Sequence, residues 1–236
     1  MEEFDPIGEA VFNYHFKKDK ALVYVHSVDF DTDEMQIPYF FRKYEDMPPL
    51  ERYAMQSAKG RVLDIGACAG CHSVYLENKG CEVVALERSE KCVAVLQDRG
   101  VAEAIQADFY NFKSQPFDTI LLLMNGVGIA GTLDNLPTFF SKLKTLLKPD
   151  GRIFMDSSDL IYLYENEDGS ADINIAGKYY GELTYQTEYK RKKSKSFSWL
   201  YADYNLLKPY VDLAGFQVES VQWGEHYDYL LTIKHK

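Results

Sequence analysis

Basic residues are the minority charge in this chain of 236 residues: 26 Lys and Arg stand against 36 Asp and Glu, a formal charge of −10. That balance disfavours a general binder of nucleic acid or of anionic membranes, whose footprint is a basic face. Long apolar runs are missing too. No stretch approaches the roughly 18 consecutive apolar residues of a membrane helix. The opening MEEFDPIGEA has neither the basic nor the apolar region of a secretory signal, so a cytoplasmic protein is expected. Cysteine is scarce, at Cys68, Cys71, Cys81 and Cys92. Cys68 and Cys71 form a C-x-x-C with His72 beside it, a pattern open to redox or zinc chemistry. No second pair of ligands follows at metal spacing, and buried reduced thiols in a tight turn are the preferred reading. Two phosphate-binding signatures are also absent. A dinucleotide G-x-G-x-x-G starting at Gly66 would need glycine at 68 and 71, where both residues are cysteine, and the turn holds no G-K-S or G-K-T.

What is present is organised around residues 61 to 70, RVLDIGACAG. Val62, Leu63 and Ile65 make the short apolar run of a buried parallel strand, Asp64 lies at its end, and Gly66, Ala67, Ala69 and Gly70 form a tight turn. CHSVYLENK then reads as a helix closed by Gly80, so backbone N–H groups and a helix N-terminus point into the crevice above the strand. From there the chain alternates strand and helix through EVVALE, SEKCVAVLQDRG, AEAIQAD, FDTILLLMN, LPTFFSKLKTLLK and RIFMDSS, the pattern of a parallel sheet with helices on both faces. Ser89 is a cap for the second of these helices. FQVESVQWG and DYLLTIKH are placed to pair antiparallel at the end. Residues 1–59 read as a cap: Asp5 and Pro6 open a helix carrying Tyr14, residues 21–28 are a short extended piece, and Pro48 and Pro49 open another helix. Residues 160–202 read as an inserted lid. Within it Leu183, Tyr185, Thr187 and Tyr189 alternate on one arm of a hairpin, Phe197, Trp199 and Tyr201 on the other, and KRKKSK forms the tip.

The turn D-I-G-A-C-A-G resembles the D-x-G-x-G-x-G turn of the class I S-adenosylmethionine-dependent methyltransferases, with Cys68 in place of the middle glycine. Glu87 ends the second strand twenty-one positions after Gly66, Asp108 ends the third strand before Phe109, and LKPDG precedes the fifth. The resemblance implies a Rossmann-like α/β fold, with a mostly parallel seven-stranded sheet, a terminal antiparallel strand and helices on both faces. It implies S-adenosylmethionine as cofactor, with Asp64 meeting the α-ammonium, Glu87 the ribose hydroxyls, and Asp108 and Phe109 the adenine. Gly66, Ala67, Gly70, Arg88, Asn125, Gly126, Tyr14 and Arg42 complete the expected cofactor set. Tyr14, Arg42 and Tyr44 are placed to close over the methionine end, Arg42 pairing the carboxylate or else lying in an aromatic surface patch.

Methyl transfer asks mainly for alignment, dryness and sometimes a base. Asp156 and Asp159, at the end of the fifth strand, are the candidate catalytic carboxylates, with a polar turn as the alternative. His226 and Tyr227 are either pocket residues or structural ones. The fourth strand ends in Asn125 and Gly126 rather than the D-P-P-Y type signature of nucleic-acid amino-methylating enzymes. A small-molecule acceptor, no nucleic acid and no membrane are therefore expected. A nicotinamide oxidoreductase and a non-catalytic cofactor-binding module are the competing classes, and the oligomeric state is left open.

Overall fold

Val62, Leu63, Asp64 and Ile65 are all buried, as a strand covered on both faces requires. The computed structural model describes residues 3–166, 168, 170, 171, 173 and 177–236, so part of the expected 160–202 insertion lies outside the described residues. In chain order the elements are α1 (Pro6–Lys17), β1 (Val23–Ser27), β2 (Asp33–Met35), α2 (Pro49–Ser57), β3 (Arg61–Ile65), α3 (Cys71–Asn78), β4 (Glu82–Glu87), α4 (Glu90–Asp98), β5 (Glu103–Gln106) and β6 (Phe117–Leu122). There follow α5 (Leu136–Leu146), β7 (Leu147–Ser158), β8 (Glu182–Tyr189), β9 (Lys192–Lys193), β10 (Phe197–Leu200), α6 (Tyr204–Leu213), β11 (Phe216–Trp223) and β12 (Asp228–His235). Caps fix several helix starts: Asp5 accepts from the Gly8 N–H at 2.9 Å, Ser89 from Cys92 at 3.3 Å and Asp203 from Leu206 at 3.0 Å.

The main sheet runs β11-β12-β7-β6-β3-β4-β5. β3 to β7 are parallel, and β12 joins β7 antiparallel, with β11 antiparallel beyond it. This is the predicted Rossmann-like sheet with its antiparallel tail. Strand alternation divides the core between the two faces. Leu122 and Leu231 go to one side with Phe139, Phe140 and Phe216, while Leu121 and Leu230 go to the other with Leu50, Met55 and Phe154.

A second sheet, β10-β8-β1-β2 with the short β9 on β8, joins pieces that the sequence shows only separately. The extended piece at 21–28 and the hairpin are parts of one structure: Val23 pairs with Tyr189 and Ser27 with Tyr185, while Tyr185 pairs on its other side with Phe197. The hairpin tip is also tighter than KRKKSK implies. Lys190 and Arg191 both have positive φ, 50° and 65°, and pairing resumes at Lys192, as in a two-residue primed turn. Among the described residues no helix is long and apolar enough to cross a membrane.

Candidate active site

The order of the main sheet turns at β3. β4 and β5 continue to one side and β6 and β7 to the other, so the carboxyl ends of the parallel strands diverge around a crevice there. The 66–70 turn forms its lip. Gly66 has φ 76°, and a side chain added to it would meet only Ile129 Cδ1 at 3.9 Å, so the space above its backbone is open to a ligand. Gly70, at φ 80°, is fixed instead by packing, since a Cβ there would lie 2.5 Å from Leu96 Cδ2 on α4. Ala67 is buried between them. Cys68 takes a left-handed φ of 49°, so a cysteine adopts here the backbone conformation that glycine adopts at least cost.

Two acids are buried at this lip. Asp64, 3% exposed, accepts from Ser73 Oγ at 2.6 Å. Glu87 accepts from the Cys68 N–H at 3.0 Å on one oxygen and from the Ser89 N–H at 2.9 Å on the other, and each oxygen keeps capacity for another donor. Burial raises its pKa above the ordinary carboxylate range, opposed by these N–H groups. Asp108 lies just past β5 and is exposed. It accepts from the Tyr110 N–H at 2.9 Å and from Asn111 at 3.3 Å. Phe109 is buried, with its ring 5.0 Å from Tyr110 and 5.6 Å from Phe139. The Arg88 side chain is exposed, and its carbonyl accepts from Gln106 at 3.4 Å.

The N-terminal segment packs directly over the turn. Asp5 accepts from Ser89 Oγ, the cap of α4, and a buried cluster joins Ala10, Val11 and Tyr189 to Ala69 and Cys92. Tyr14 lies in this layer against Phe41, rings 5.0 Å apart, while Tyr44 stacks on Tyr75 at 4.5 Å. Arg42 is a buried residue. It donates from Nε to Glu51 at 3.2 Å, pairs with Glu51 again through Nη2, donates from Nη1 to the Tyr39 carbonyl at 2.6 Å, and lies over the Tyr39 ring at 3.9 Å. Most of its fork is therefore engaged within the protein. Glu51 also bonds His72 Nε2 at 2.9 Å, making an Arg42–Glu51–His72 cluster whose side chains are at most 7% exposed. Burial disfavours the charged form of His72, but Cys71 and Glu51 beside it outweigh burial and raise its pKa well above the usual value. Burial likewise opposes ionisation of Glu51, and His72 and Arg42 reverse the balance. No local pattern announces this cluster, because its members come from a loop, α2 and α3.

At the other wall, Asp156 accepts the N–H groups of Met124 and Gly126, both at 2.9 Å, and so pins the loop after β6. Burial pushes its pKa up to about 7 against those two bonds. Asn125 donates to the Leu200 carbonyl at 3.0 Å and accepts from Ser157 at 3.2 Å, tying that loop to β10. Asp159 caps the turn Leu160–Leu163 through the Ile161 N–H at 2.9 Å and accepts the Tyr180 hydroxyl at 2.6 Å. His226 and Tyr227 are exposed between β11 and β12, with the Tyr227 hydroxyl on Glu165 at 2.9 Å. The cysteines are free thiols, and Cys68 has its pKa raised by the adjoining Cys92 side chain and by burial. Among the described residues no three His, Cys, Asp or Glu side chains group to hold a metal.

A crevice at the sheet's switch point, lined by buried acids and a tight turn, is what a phosphate-free nucleoside cofactor would fit. A solved structure of an S-adenosylmethionine-dependent methyltransferase from Bacteroides fragilis, in complex with S-adenosyl-L-homocysteine, is 44% identical to this chain, covers 98% of it and 94% of its own length, and superposes with a TM-score of 0.91. The chain belongs to the S-adenosylmethionine-dependent methyltransferases. Residues 63–155 of this methyltransferase match the family described as a methyltransferase domain. A putative methyltransferase of Geobacillus sp. (strain WCH70) is 28% identical over 115 residues, which is 45% of this chain and 45% of that protein. The CcbJ methyltransferase of Streptomyces caelestis shares the fold at 14% identity, with 83% of this chain and 99% of its own covered and a TM-score of 0.63.

Proposed function

We propose that this methyltransferase acts in the cytoplasm on a small-molecule acceptor held between the carboxyl ends of β6 and β7 and the β8–β10 cover. The observation that carries the reading is the seating of that cover. β10 bonds to Asn125 through the Leu200 carbonyl, and Trp199 packs so closely on Gly128 that a Cβ there would lie 2.1 Å from its ring. A cover held this near the strand ends favours a small acceptor over a polymer and excludes water from the reacting atoms. The acidic charge balance supports an acceptor other than nucleic acid, and the free cysteines support a reducing compartment.

S-adenosylmethionine, when bound, supplies a methyl group on a sulfonium sulfur that is already a good leaving group. In this reading the chain's residues bind and align. Asp64 receives the α-ammonium, Glu87 offers its free lone pairs to the ribose hydroxyls, and Asp108 and Phe109 meet the adenine. Gly66, Ala67, Gly70 and Arg88 border the cofactor, with Asn125, Gly126, Tyr14 and Arg42 around the methionine end. Asp156 holds the Met124–Gly126 loop in place, and Asp156 and Asp159 are the groups able to take a proton from the acceptor.

The test is calorimetric titration of the full chain with S-adenosylmethionine, S-adenosylhomocysteine and NADH. Micromolar binding of the two sulfur compounds and none of NADH is expected, and Glu87→Ala should weaken that binding by about 1.5–3 kcal/mol with the fold retained. Binding of NADH alone would overturn the reading.

A further inference from the structure

The mouth of the crevice, beyond the cofactor turn, is walled by tyrosine. The Tyr185 and Tyr201 hydroxyls meet at 3.4 Å, Tyr180 reaches Asp159, and Tyr162 lies 5.3 Å from Tyr227, ring to ring. The two chain segments that border these rings share one sign of charge. Residues 29–34 carry four acids and no Lys, Arg or His, and residues 156–166 carry three acids and again no base. The segments meet where the Phe30 ring lies 6.0 Å from that of Tyr164. Asp33 on β2 stands opposite Val25, whose other neighbour is Thr187 on β8; Asp159 accepts the Tyr180 hydroxyl and Glu165 that of Tyr227, and Asp156 pins the loop whose Asn125 holds the Leu200 carbonyl, next to Tyr201. Lys178 is a cation at the edge of this region, 3.8 Å from Asp29.

Aromatic faces and carboxylates favour the same kind of guest. A ring presents its negative quadrupole to a cation, and the carboxylates add a negative field that a partly dry site screens weakly. The same surroundings repel an anion and offer a neutral alcohol no charge contact. We propose that the methyl acceptor is an amine, bound as its ammonium between the tyrosines and carboxylates of this mouth; the inference rests on the methyltransferase reading above. The ammonium first gives one proton to the Asp156 carboxylate. The freed nitrogen lone pair then forms the bond to the methyl carbon while the carbon–sulfur bond breaks, its electron pair staying on sulfur. The products are S-adenosylhomocysteine and an N-methylammonium, so the positive charge lost by the sulfonium ends on the acceptor nitrogen, where the mouth stabilises it.

The test uses three probes that share one ring and differ in charge: benzylamine, benzyl alcohol and benzoate, each titrated calorimetrically into the full chain saturated with S-adenosylhomocysteine at neutral pH. Benzylamine is expected to bind at least about tenfold more tightly than the other two. Tyr201→Ala should remove most of that preference while leaving S-adenosylhomocysteine affinity within about twofold. Equal binding of the three, binding of none, or preference for benzoate would overturn the amine assignment and leave the methyltransferase reading intact. Failure of S-adenosylhomocysteine itself to bind would overturn that underlying reading, and the amine assignment with it.

Discussion

Single side chains in this site are set by what surrounds them, and two show it with opposite signs. Asp156 is a carboxyl whose folded pKa is raised to about 7 from an ordinary 3.8, chiefly by burial. Between those values the native state holds a proton that the unfolded chain has released, so this group's contribution to stability falls as pH rises through the window and is fully lost above it. We expect the thermal midpoint of the wild type to fall, relative to Asp156→Asn, between about pH 4 and pH 7; parallel curves would show that burial does not perturb Asp156. Glu51 is the reverse case, a buried carboxylate kept ionised by Arg42 and His72. Its removal strands two buried donors, and Glu51→Ala should cost about 3–5 kcal/mol in urea unfolding. A loss under 1 kcal/mol would mean that water reaches the cluster.

At the scale of elements, the hinge between chemistry and cover is the contact of Trp199 with Gly128. Gly128→Ala places a methyl where the indole lies, so β10 must lift. In a Trp223→Phe background, which leaves Trp199 as the sole tryptophan, the substitution should shift indole emission to longer wavelength. Unchanged emission would show that the cover tolerates the methyl. The elements of the main sheet were legible because their signals are local: the Ser89 cap, the apolar run at 62–65 and the acids at strand ends. The cover was only half legible. Alternation marks Leu183 to Tyr189 as a strand, but nothing near Val23 says that its partner is Tyr189. The Arg42–Glu51–His72 cluster was hidden for the same reason.

For the molecule as a whole, the two sheets differ in how far their partners lie apart along the chain. β3 and β4 pair Val62 with Val83 across a short connection, whereas Val23 meets Tyr189 only after β3 to β7 have intervened. Closing so long a loop is slow, since its entropy is spent before any contact repays it. During synthesis from the N-terminus, β1 therefore waits without its partner β8 while β3 to β7 form. In refolding followed by pulsed hydrogen exchange, amides of Leu63 and Val84 should gain protection before those of Val25 and Thr187, and simultaneous protection would refute the order. Such a chain would have a formed 66–70 turn while the β8–β10 cover is still open, so on the proposed site cofactor present at that stage can bind and stabilise the nascent sheet before the cover exists.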